Sequence, residues 1–452
     1  MYNTLKMRLK NIFSRDNNKD IFRNIIASFL VKGLSIILAL FTTPAYMRYF
    51  NDDVSLGVWF TLVSIINWVL MFDLGIGNGL RNKLPKAMEE NDKKEQNELI
   101  SSSYIAIIII SIFFLIILLI INYFTNWNLL LNVSKKVLSL HTLQISMTIL
   151  LIGIVLRLVL NLNSSIFFAL QKSSINNFIG LCSNLFLFLY VKFASIGTSS
   201  SNFIKLSIAN AILSNIPLLL GTFYIFMGPF KGMIPKRKYF KLQKAKEVLK
   251  IGTILLWLQI IFMVVASTHA FLITNFRNPA EVVEYNIYYK VYYGILSIFY
   301  LSLTPIWSAV TKAQAQKDFN WIYKLYIVLL FLTIPFLIVN FASIPFLQKF
   351  FNIWLKEKTI AVNIKYVIIF ILFNFCFAIH NVNTSIFNGL SDFKIQSIWM
   401  TVAAILFVPL CYIFTNLLRS WAGVIIGSTI CIIPYEIIQI IAGLKKLNKL
   451  RI

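Results

Sequence analysis

Apolar runs long enough to cross a bilayer follow one another along almost the whole chain, and this limits the fold more than any motif does. In lipid every backbone N–H and C=O must find a partner inside the protein, so only helices or a closed barrel can span. These runs are continuous, unlike the ten-residue alternation of barrel strands, and therefore predict helices. Twelve spans are expected: about 24–47, 54–80, 99–122, 140–170, 177–194 and 203–228, then 251–275, 285–311, 320–345, 362–389, 396–415 and 421–444. With 58% hydrophobic and 13% charged residues, soluble domains could not hide this apolar surface. The expected class is an all-α membrane protein.

A net charge of +25 would suggest nucleic acid in a soluble protein. Here Lys and Arg gather in segments that would share one side of the membrane, which puts both termini in the cytoplasm and leaves no nucleic-acid partner to expect. Residues 1–23 are polar and basic, and no small-residue cleavage site follows the first apolar run, so no removable signal peptide is expected. The implied organisation is a basic cytoplasmic N-terminus (1–23), a six-helix bundle (24–228), a basic cytoplasmic linker (229–250), a second bundle (251–444) and a basic tail (445–452). A basic helix over Lys231–Lys250 would lie on anionic headgroups, so membrane lipids count among the partners. The abundance of Ile, Asn and Lys has the stamp of an AT-rich bacterial genome.

An internal repeat supports two halves independently of hydropathy. Asn161–Ile175 reads NLNSSIFFALQKSSI and Asn381–Ile395 reads NVNTSIFNGLSDFKI, with seven of fifteen positions identical. Each copy ends a span, the fourth and the tenth, and enters a cytoplasmic turn. Equal orientation implies parallel repeats, related by an axis along the membrane normal, with a central cavity between the bundles.

Polar groups inside the spans mark the candidate site. The stretch Met71–Lys83, MFDLGIGNGLRNK, places Asp73, Gly77 and Arg81 on one helical face, while Gly75 and Gly79 would let another helix approach closely. Lys32 lies at a similar depth to Asp73, and mutual pairing is the economical arrangement for both. In the fourth span Arg157, Asn161, Ser164 and Ser165 form a polar stripe, and a guanidinium that deep needs water, a partner or an anionic substrate. Asn374, Asn381, Ser385 and Asn388 repeat the pattern in the tenth span, as cavity lining or interhelical hydrogen bonding. Lys290 either lines a cavity or reaches outward. His141, His269 and His380 have no metal-ligand spacing and read as core histidines, and Glu436 has the basic tail Lys445, Lys446, Lys449 and Arg451 as a potential partner.

No metal or cofactor is expected, and Cys182, Cys376, Cys411 and Cys431 suggest no disulfide frame. There is no P-loop, no G-x-G-x-x-G, no nucleophile elbow and no soluble stretch large enough for a catalytic core. Outer loops of at most about seventeen residues disfavour a membrane polymerase or glycosyltransferase.

The segments Thr43–Phe50 (TPAYMRYF), Asp73–Arg81 (DLGIGNGLR), Thr304–Ile322 (TPIWSAVTKAQAQKDFNWI) and Asn388–Gln396 (NGLSDFKIQ) resemble the polysaccharide transporter, or O-antigen flippase-like, branch of the multidrug/oligosaccharidyl-lipid/polysaccharide (MOP) exporter superfamily. The resemblance implies twelve helices in two bundles around a cationic cavity in the bacterial cytoplasmic membrane. It also implies export of an undecaprenyl-pyrophosphate-linked oligosaccharide by alternating access, for surface polysaccharide biosynthesis, alongside polysaccharide polymerase and glycosyltransferases. On this reading Lys32, Arg81, Arg157 and Lys290 bind the anionic headgroup, and Asp73 and Asn78 gate or couple. The alternatives are a peptidoglycan-precursor flippase and a cation-coupled multidrug exporter of the same fold. The exporter would want intramembrane carboxylates, and the expected spans offer Asp73 and Glu436 against several basic residues.

Overall fold

The computed structural model describes residues 16–70, 75–170 and 172–451, and all regular structure among them is helical. The first half holds α1 (Asp16–Phe50), α2 (Asp53–Leu70), α3 (Ile76–Glu89), α4 (Lys93–Phe124), the short α5 (Trp127–Leu130), α6 (Leu140–Leu160), α7 (Leu162–Ala169), α8 (Ser173–Phe193), α9 (Ser199–Leu213) and α10 (Ile216–Met227). The second holds α11 (Leu242–Ser267), α12 (His269–Phe276), α13 (Pro279–Ala315), α14 (Phe319–Ala342), α15 (Ile344–Leu355), α16 (Ile364–Gly389), α17 (Lys394–Leu418) and α18 (Ala422–Leu450). Ten helical stretches among the described residues are long and apolar enough to cross a membrane, and α11 with α12, bent by 46°, makes an eleventh. The expected span 285–311 falls within α13, whose 37 residues are more than long enough to cross. The chain is a multi-pass membrane protein.

Local sequence explains several boundaries. Asp92, Ser139, Thr198, Asn278 and Asp318 cap α4, α6, α9, α13 and α14, each accepting a backbone N–H from inside the first turn. Pro279 starts α13, where a missing N–H costs nothing. The expected continuous span 54–80 is interrupted at Gly75, which takes a left-handed φ of 72° before α3 begins. Gly77 and Arg81 share a face of α3, and Asp73, expected on the same face, lies outside the described residues.

The repeat appears as matched geometry. Leu170 N–H donates to Ile166 O at 2.9 Å and Lys172 N–H to Phe167 O at 2.8 Å; their counterparts are Leu390 to Ile386 at 3.0 Å and Asp392 to Phe387 at 2.9 Å. Asn163 reaches α10 through the Leu218 carbonyl, and Asn383 reaches α18 through Glu436. Phe167 and Phe387 then pack where any Cβ on Gly221 or Gly443 would collide with a neighbouring side chain. The copies differ in one respect: α6 and α7 break at Asn161, whereas α16 runs unbroken through Asn381.

The halves meet at both ends. The break at Thr268 leaves the Ser267 carbonyl without a helical partner, and first-half side chains supply donors: Ser64 Oγ at 2.7 Å and Trp68 Nε1 at 3.0 Å. Nearby, Thr61 and Thr274 join hydroxyls at 2.6 Å. At the opposite end Lys83 pairs with Glu247 and Lys244 with Glu95 (2.7 Å), while Gly79 lets Val248 of α11 approach closely. Residues 228–241 carry a single 3-10 turn, Arg237–Tyr239, and from Leu242 the basic stretch is helical as the start of α11, tied to α3 and α4 through these pairs.

Candidate functional site

The break at Asn161 shapes the site. Ser164 Oγ donates to Asn161 Oδ1 at 3.0 Å, and the turn at Asn161 presents both side chains to two adjoining cavities. The larger, of about 230 Å³, is lined by Lys32 and Ser35 of α1 and by Arg157 in the last turn of α6. Asn176, Asn177 and Asn184 of α8 complete its polar wall. The smaller, of about 140 Å³, is lined by Asn78 and Arg81 of α3 with Ser165 and Phe168 of α7. Asn161 and Ser164 belong to both.

Three cations therefore line two adjoining polar cavities whose described lining holds no carboxylate. Lys32, Arg81 and Arg157 make none of the ion pairs among the described residues. The Arg81 guanidinium lies 4.3 Å from the Phe168 ring centroid, a cation–π contact that holds the plane and leaves its N–H edge open. Such a site can accept an oxyanion through charge-assisted bonds and hydroxyls through its amides.

The remaining expected residues lie elsewhere. Lys290 is in neither cavity: its Nζ donates to Thr43 Oγ1 at 2.6 Å and to the Ala39 carbonyl at 3.3 Å, so it bridges α13 to α1 between the halves. Asn374 is glue, fully buried and bonded to the Tyr292 carbonyl at 2.8 Å and to Asn340 at 3.0 Å. Glu436 does not pair with the basic tail. It is buried, with His380 Nδ1 at 2.9 Å and Asn383 Nδ2 at 2.6 Å, and Tyr326 OH extends the chain to Asn383 Oδ1 at 2.6 Å. The tail instead sends Lys446 to Asp392 and lays Arg451 over Tyr323. His269 and His380 are core histidines, His269 lying between Ser428 and Tyr285, whereas His141 is exposed.

Sequence reasoning missed Ser35 and the α8 amides. Their signal was present: Asn177, Gly180 and Asn184 recur at helical spacing inside an apolar span, and Ser35 lies one turn from Lys32. The two halves are also unequal in charge. In the register that pairs Asn161 with Asn381, the position of Arg157 corresponds to Phe377, buried among Phe262, Phe373 and His380.

No family model and no curated protein matches this chain. Solved structures do. An inward-facing multidrug resistance MATE family transporter of the MOP superfamily overlays with a TM-score of 0.77 at 12% identity, covering 94% of this chain and 99% of that one. An outward-facing conformation of such a transporter gives 0.63 at 13% identity, covering 97% and 98%. A MOP superfamily transporter from Pyrococcus furiosus Vc1, described as having a binding pocket of reverse polarity, gives 0.66 at 12% identity, covering 95% and 96%. The chain thus shares the fold of these MOP transporters.

Proposed function

We propose that this chain is an alternating-access transporter of an anionic, hydroxyl-rich substrate, and that the substrate is an undecaprenyl-pyrophosphate-linked oligosaccharide. The observation that carries the reading is the first-half cavity: Lys32, Arg81 and Arg157 around shared amides and hydroxyls, with no carboxylate in the described lining. A pyrophosphate brings at least two negative charges that must cross a low-dielectric region, and fixed cations in a hydrated cavity lower that cost. Asparagine and serine side chains offer donors and acceptors to sugar hydroxyls without adding charge. A prenyl tail can stay in lipid throughout. With both termini in the cytoplasm of a bacterial cell, Lys32 and Arg157 lie in the cytoplasmic part of the membrane, where the substrate would be loaded.

A second reading, a multidrug exporter, draws on the solved neighbours of the same fold that are multidrug resistance transporters. A cationic drug would meet three like charges in this cavity, which weighs against it. A peptidoglycan-precursor flippase would use the same anion chemistry with a different sugar.

The test is complementation of a strain lacking its own oligosaccharide flippase, scored by surface glycan at matched membrane abundance. Rescue by the wild type and loss in Arg157→Ala and Lys32→Ala supports the reading; rescue by both variants at wild-type level contradicts the site.

A further inference from the structure

A proline inside a helix offers no N–H to the carbonyl four residues earlier. Pro44 lies inside α1, and the carbonyl it leaves unpaired is that of Leu40. The second half fills this vacancy: Trp354 Nε1 of α15 donates to Leu40 O at 2.7 Å. Trp354 is 8% exposed and wedged against Phe350 and Phe351, with ring centroids 5.4 and 6.1 Å away. Lys290 binds the same stretch of α1 at Ala39 and Thr43, and Lys358, just past α15, reaches Asn51 Oδ1 at 3.2 Å. Three donors from the second half thus grip the Phe50 end of α1, and one of them fits the defect that Pro44 creates.

We propose that Trp354 latches a gate at the Phe50 end of α1, its indole N–H standing in for the one Pro44 lacks and holding the halves together there while the Lys32–Arg157 cavity is open. An unpaired carbonyl away from water is costly, so this bond contributes more than one to a carbonyl already paired within its helix. One hydrogen bond biases an equilibrium without locking it, as a transporter that must reopen requires. The latch rests on the alternating-access reading and needs no knowledge of the substrate.

The reporter is Thr274→Cys, at a fully buried position whose hydroxyl meets Thr61 of the other half. Its reaction with a soluble thiol reagent is followed on purified protein in detergent, where both faces are accessible and orientation does not matter. The chain carrying only its native cysteines sets the background. Trp354→Phe keeps the ring between Phe350 and Phe351 and removes the donor; loss of one hydrogen bond predicts a labelling rate about five-fold higher. In a Pro44→Ala background, where residue 44 supplies the N–H itself, the effect of Trp354→Phe is expected to fall below about two-fold. No change on Trp354→Phe, or the same multiplication in both backgrounds, would overturn the latch. A second reporter, Asn184→Cys in the cavity, separates the two ideas. If its labelling falls as Thr274→Cys labelling rises, both stand; if it stays constant while Thr274→Cys still follows the pattern above, the Trp354–Leu40 bond holds the halves together at that end, but alternating access fails and the gate that rests on it is overturned.

Discussion

Asn163 and Asn383 occupy matching places in the two halves, and each ties a break-bearing or turn-ending helix to the last helix of its half. Asn163 donates to the Leu218 backbone at 2.7 Å, whereas Asn383 donates to the Glu436 carboxyl at 2.6 Å. A bond to a carboxylate is worth more than one to a neutral carbonyl, so Asn163→Ala should cost about 1 kcal/mol and Asn383→Ala about 2 kcal/mol. Unfolding of the purified variants in detergent measures both; equal losses would contradict the assigned partners.

Removing His380 leaves Glu436 Oε1 without its donor in a buried setting. His380→Ala should destabilise by about 1–3 kcal/mol, the cost of leaving a buried polar atom without its hydrogen-bond partner. Adding Glu436→Gln should recover part of this, since an amide is cheaper to bury than a carboxylate. Thermal unfolding of the single and double variants decides, and no recovery would show that the loss comes from packing against Phe262 and Tyr435 instead.

Phe168 holds the Arg81 guanidinium in place. Phe168→Leu keeps an apolar side chain and loses the cation–π contact, worth about 0.5–1 kcal/mol at a partly exposed site. Transport should fall about two- to five-fold, with the smaller change in protein stability. A stability loss that fully accounts for the drop in transport would argue that Arg81 does not act on substrate.

The clamp on α11 sets a pH window. The hydrogen bond from Lys83 holds the Glu247 carboxyl below its ordinary value, and the bond to Glu95 holds the Lys244 ammonium above its own. The Glu247 contribution is therefore present above the ordinary carboxylate range and lost as pH falls through the depressed value. The Lys244 contribution is present below the ordinary lysine range and lost as pH rises through the raised value. Protection of α11 amides near Leu242–Val248, measured relative to their intrinsic exchange rates at each pH, should be greatest between those limits, and Lys83→Met should remove the acid-side loss alone.

Much of the fold was legible because lipid permits few solutions. Apolar length gave the helices, and the N-x-N register gave the halves, down to the asparagines that now mark matched contacts. The breaks were harder to see. Gly75 could turn left-handed or permit close packing, and its sequence does not distinguish the two. Asn161 and Asn381 are the same residue in the same motif, yet only the first helix breaks. The tertiary partners of Glu436 and Lys290 come from helices far along the chain, where spacing carries no information. Most of α15 falls between the expected spans 320–345 and 362–389, because it is short and its apolar face is matched to α1 only in three dimensions.

Reconstitution of the purified chain in liposomes, with uptake of a fluorescent prenyl-pyrophosphate oligosaccharide compared against a cationic dye, tests the central claim most directly. The account predicts protein-dependent movement of the anionic lipid-linked glycan, little movement of the dye, and a loss of at least about ten-fold in Arg157→Ala, on the scale of one charge-assisted hydrogen bond to a phosphate. Efficient transport of the cationic dye, undiminished in Arg157→Ala, with no movement of the glycan, would contradict it.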